Sequence, residues 1–93
     1  MIDTFEIPEE LAKELSELMT KQSIRERMLL MLVDQPTRYE EMERMLIPIV
    51  NRIDFIKDKI TSEYVPEKYR SDKYVWNYNG YDIAKNIVDI QYA

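Results

Sequence analysis

The sequence predicts an α+β protein that is mostly α: an antiparallel two-helix hairpin, its second helix kinked at Pro48, followed by a small C-terminal antiparallel β-hairpin or meander. Three observations carry this. Apolar residues recur every three or four positions from Leu11 to Leu32 and again from Tyr39 to Ile60. Only a few residues around Pro36 separate the two runs, so the helices lie antiparallel. Beyond residue 73 the period changes to two, around the chain's only glycine.

The 93 residues make one domain, 1–93, with 45% hydrophobic and 33% charged residues, a globular composition. Residues 1–6 read as a short polar lead, in an extended conformation if ordered. The first helix is predicted over 8–34, with Pro8 at a first-turn position and Glu9 and Glu10 against the positive end of the helix dipole. Leu11, Leu15, Leu18, Leu29 and Leu32 form one stripe that passes through Gln22 and Arg25; Ile24, Met28 and Met31 form a neighbouring one. Gln35 precedes a proline and is pushed out of the helical region, which ends the helix near Asp34.

The second helix is predicted over 37–62, opened by a capping box of Thr37 with Glu40. Tyr39, Met42, Leu46, Ile49, Ile53, Ile56 and Ile60 then step by three and four, the seam of a helix packed along another. Across an antiparallel hairpin, positions summing to about 71 face each other, pairing Leu15 with Ile56 and Leu11 with Ile60. Pro48 kinks this helix and frees the carbonyl of Arg44. The same pairing sets Gln22 and Arg25 beside the kink. Either one of them bonds the freed carbonyl, or the first helix rotates there and presents Ile24 and Met28 instead.

Thr61 to Asp72 form a loop with one short turn after Pro66. Residues 73–92 form the sheet: Tyr74 to Tyr78, a tight turn at Asn79 and Gly80 where positive φ is tolerated, a returning strand from Tyr81 to Ala84, a second turn at Lys85 and Asn86, and a last strand from Ile87 to Tyr92. A sheet this small must lay one face on something. "MLLMLV" from Met28 and "MLIPIV" from Met45 are apolar nearly all round, more than a two-helix seam hides. A ten-residue loop reaches roughly 33 Å when extended, enough for Trp76 and its neighbours to cover that surplus near the hairpin turn. The alternative is a homodimer, in which a second copy covers it and the sheet stays at the far end.

Composition excludes several chemistries. With no cysteine and no histidine, the chain lacks disulfides, thiolate nucleophiles, the common zinc ligands and the commonest general base. Glu10, Glu14 and Glu17 share a helix face, but a carboxylate di-metal site in a bundle pairs Glu with His, so the row reads as a solvated face. No catalytic, cofactor-binding or metal-binding residue is assigned, and the protein is not expected to be an enzyme. A net charge of -5 with no basic cluster argues against nucleic acid. The longest apolar run is far short of a bilayer span, and no signal pattern precedes it, so a cytoplasmic location without membrane attachment is expected.

Six of the seven tyrosines follow residue 63. One reading is structural, since tyrosine suits half-buried strands. The other is that a sheet edge with exposed tyrosines docks a partner's extended segment as an added strand. The contact candidates are then Trp76, Tyr78, Tyr81 and Tyr92, with a protein or peptide as the partner.

The order "IPEELAKELSELMTKQSIRERMLLMLV", a short break, "YEEMERMLIPIVNRIDFIKDKI", then "KY.W.YNGY.I" and a final alternating strand resembles the small accessory proteins of bacterial CXXX-repeat peptide modification systems. Phe55 and Ile56 stand where that resemblance leads one to expect a tryptophan. It implies a non-catalytic helper that binds a ribosomally made precursor peptide or its modifying enzyme. The alternatives are a phage- or plasmid-type acidic inhibitor of a larger protein and a structural homo-oligomer.

Overall fold

A computed structural model describes residues 2–78 and 86–93. The elements run β1 (Asp3–Glu6), α1 (Glu9–Met31), α2 (Pro36–Glu63), a 3-10 turn (Glu67–Tyr69), β2 (Tyr74–Tyr78) and β3 (Ile87–Tyr92). The molecule is a rod, 47 × 28 × 20 Å.

Pro8 caps α1 from outside the helix, and Leu32 ends it, its N–H bonding the carbonyl of Leu29. The second helix starts at Pro36, with Gln35 as an N-cap that makes no side-chain bond. Thr37 is therefore already inside α2, and the capping box is not formed. Proline explains the earlier start, because its φ is preset for the helix and it has no N–H to leave unsatisfied at the first position. From there α2 runs unbroken through Pro48 to Glu63.

The hairpin seam is sealed at its open end and looser toward its turn. Leu15, Ile56 and Ile60 are fully buried and Ile53 nearly so, whereas Leu29, Leu32, Tyr39, Met42 and Leu46 are only half-buried. Gln22 and Arg25 are half-buried while Ile24 and Met28 are exposed, so α1 does not rotate away from its polar pair. Neither polar residue is seen to bond the carbonyl of Arg44. The Gln22 amide donates to the Glu26 carboxylate at 3.1 Å, and Arg25 Nε is buried without an acceptor.

The N-terminal lead is a strand. It pairs antiparallel with β3, Phe5 opposite Val88 and Asp3 opposite Ile90, and β3 pairs on its other side with β2, Trp76 opposite Ile90 and Tyr78 opposite Val88. The described sheet thus has the order β1-β3-β2. The turn at Asn79 and Gly80 and the returning strand at Tyr81 to Ala84 lie outside the described residues; the strand that pairs with β2 is Ile87–Tyr92.

Side chains alternate across this sheet. Val88, Ile90 and Tyr78 point inward and are buried, joining Ile7, Leu15, Ile56, Ile60 and Val65 in one core. Val75, Asn77 and Gln91 face out and are exposed. The core lies at the open end of the hairpin. The described sheet does not reach the "MLLMLV" and "MLIPIV" segments, where Leu30, Met31 and Val33 remain 76%, 78% and 70% exposed. The loop folds back instead of extending: Arg70 Nε donates to the Val65 carbonyl at 2.9 Å, and the Tyr74 N–H bonds Ser71 at 3.1 Å. The Tyr78 hydroxyl then ties β2 to α1 by donating to the Ala12 carbonyl at 3.1 Å.

Candidate functional site

The two outer strands of the described sheet differ at their free edges. In an antiparallel ladder, residues alternate between those bonded to the neighbouring strand and those whose main-chain groups point away. The Ile7 N–H bonds the Asn86 carbonyl, so Asp3 and Phe5 also face β3 and Thr4 and Glu6 face outward. Asp3 blunts that edge by accepting the Thr4 N–H on its own carboxylate at 2.8 Å. On the other side, the Ala93 N–H bonds the Lys73 carbonyl, so Val75 and Asn77 face β3. The N–H and C=O of Trp76 are left pointing outward, with no neighbouring strand among the described residues.

A groove of about 360 Å³ runs beside this β2 edge, between it and the last turns of α2. Thr61, Val65, Tyr69, Tyr74 and Trp76 line it, with Lys57 and Arg70 supplying positive charge. Its walls are held by satisfied bonds. Trp76 Nε1 donates to Thr61 Oγ1 at 2.9 Å, and the same hydroxyl donates to the Lys57 carbonyl at 2.9 Å. Tyr74 meets Tyr69 edge-on at 5.0 Å and stacks on Tyr92 at 5.5 Å, so three rings form one aromatic rim. Lys68 sits over the Tyr69 ring at 4.9 Å.

The structure distributes the four sequence-derived contact candidates differently. Trp76 lines the groove and Tyr92 is 72% exposed at its rim. Tyr78 is a core residue: its ring is buried, its hydroxyl is bonded, and desolvation pushes its phenol above the ordinary value of 10.0. Tyr81 lies outside the described residues. Sequence reasoning missed Tyr69 and Tyr74 as rim residues and Thr61 as the partner of the indole. A threonine two residues before the end of a helix carries no signal of that role until the sheet is placed beside it.

On the Glu10, Glu14 and Glu17 face, Glu14 pairs with Arg52 at 2.6 Å, and this bond holds its carboxyl below the usual value against the opposing effect of burial. Among the described residues no three His, Cys, Asp or Glu side chains converge as a metal site, and no helix is long and apolar enough to cross a membrane. Comparison with known proteins returns no matching family model, curated protein or solved structure.

Proposed function

We propose that this chain is a non-catalytic accessory protein that binds an extended peptide or protein segment along the outer edge of β2. The outward main-chain groups of Trp76, set beside a groove with an aromatic rim, carry the reading. A docked strand gains main-chain hydrogen bonds from such an edge and selectivity from pockets for its alternate side chains. Each edge has one outward N–H already occupied, Thr4 by the Asp3 carboxylate and Tyr74 by the Ser71 carbonyl, and the β1 edge suits this less because Glu6 adds negative charge there. Lys57 and Arg70 favour a segment with an acidic or polar side chain at that point, although the protein as a whole is acidic. The resemblance to accessory proteins of CXXX-repeat peptide modification gives the segment an identity: a ribosomally made peptide presented to its modifying enzyme.

The test is a titration of a synthetic CXXX-repeat peptide into isotope-labelled protein, followed by NMR. The amide and ring signals of Tyr74, Trp76 and Arg70 are expected to move. Tyr92→Ala is expected to weaken binding severalfold with little change in thermal stability, since the ring is mostly outside the core. Shifts confined to β1 or to the hairpin turn would refute the site, and an absence of shifts would refute the peptide identity.

A further inference from the structure

In an antiparallel hairpin of right-handed helices, the residue just before a seam position falls on the same side of the hairpin in both helices, and the residue just after falls on the other side. Ile24, Met28 and Met31 precede the α1 seam positions Arg25, Leu29 and Leu32, and Met45 precedes Leu46 of α2. All four are exposed. They form one stripe, spaced i, i+4, i+7 along α1 with Met45 alongside, and nothing in the described chain covers it. Leu30, Val33 and Ile47 follow seam positions and lie on the opposite side.

We propose that the Ile24, Met28, Met31 and Met45 stripe is the seat of a second copy of this chain, with α1 packed antiparallel on α1 across a two-fold axis near Met28. Area and charge select this occupant and this side. The exposed fractions of the four residues correspond to roughly 400 Å² of surface per copy, about half of the roughly 800 Å² that one partner gives to a standard interface and near its apolar share. By the same seam rule, Glu17, Lys21, Arg38 and Glu41 flank the stripe, two charges of each sign. Two copies of a chain of net charge -5 therefore meet there without net repulsion.

The opposite side repels its own copy. Glu26, Glu40 and Glu43 lie there, two of them lining a cleft with Val33, Pro36 and Tyr39, and no basic residue follows a seam position in that half. The ion pair formed among the described residues, Arg52 with Glu14, uses none of the charges flanking the stripe. Three of the four stripe residues are methionines, whose unbranched side chains adapt to a partner surface. An isologous contact of this kind closes on itself as a dimer.

Sedimentation velocity over a concentration series tests the proposal, with far-UV circular dichroism as the check on folding. The wild type is expected to dimerise with Kd below about 100 µM, and its unfolding midpoint is expected to rise with concentration. Ile24→Glu/Met31→Glu is expected to weaken the dimer at least a hundredfold with helicity retained, and Leu30→Glu/Ile47→Glu to leave it unchanged. Because the chain has no cysteine, Met28→Cys and Leu30→Cys give an independent readout: a short bismaleimide should link the first into dimers and not the second. A wild type that stays monomeric, a dimer unaffected by the first double variant, one broken by the second, or cross-linking at Leu30→Cys alone overturns the proposal.

Discussion

Tyr78→Phe removes one oxygen from the core and leaves the ring. In the wild type that hydroxyl is buried and donates to the Ala12 carbonyl at 3.1 Å, joining β2 to the first turns of α1. A hydrogen bond of this kind contributes about 0.5 to 1.5 kcal/mol net. The Ala12 carbonyl keeps its helical partner four residues on, so the loss should sit near the middle of that range, about 1 kcal/mol. For a domain of this size such a loss lowers the unfolding midpoint by about 4 to 8 °C.

The pH dependence supplies a second, independent readout. Burial raises the Tyr78 phenol above 10.0, so the folded chain resists losing that proton more than the unfolded chain does. Its stabilising contribution is complete below pH 10 and is lost as pH rises toward the folded value. The phenylalanine variant lacks that loss, and the gap between the two proteins should narrow above pH 10. Thermal and urea melts at neutral pH and in that alkaline window measure both effects. Equal midpoints at neutral pH together with parallel alkaline profiles would refute the buried tie.

Other predictions follow from burial and charge. Ile56→Ala, at a fully buried seam position, should cost about 2 to 5 kcal/mol in urea unfolding, while Val75→Ala on the exposed sheet face should stay within about 0.5 kcal/mol. The Glu14 carboxyl is held below its ordinary 4.5 by Arg52, so its contribution is full above that pH and fades as pH falls further. Both partners are largely exposed, at 39% and 47% of their side-chain surface, so the effect should be small and screened by salt, and Glu14→Gln should flatten the acid limb of the stability curve only slightly.

The helices were legible because their signal is local and repeated. The isoleucine ladder from Ile49 to Ile60 marks α2 and its buried face, and the short link at Pro36 leaves the helices no choice but to run antiparallel. The last strand was legible as alternation from Ile87 to Tyr92. What stayed hidden depends on partners far along the chain. Six residues at the start give too few alternations to announce a strand, and β1 becomes one only because β3, more than 80 residues later, offers it an edge. The capping-box pattern at Thr37 was real, but Pro36 began the helix first. The resting place of the sheet is not legible from the loop, because loop length sets how far a chain can reach, not where it stops; Arg70 on Val65 and Tyr78 on Ala12 decide that. For the site, composition pointed to aromatics near the C-terminal end but did not separate Tyr78, which faces the core, from Tyr92, which overhangs it on the same face of the sheet.

The open edge of β2 is the claim on which the proposed function rests, and amide hydrogen exchange, resolved residue by residue, tests it most directly. In the free protein the amides of Val75 and Asn77, bonded to β3, should exchange slowly, and the Trp76 amide between them should exchange fast, then slow when a bound segment extends the sheet. A Trp76 amide as protected as its two neighbours in the free monomer would contradict the account.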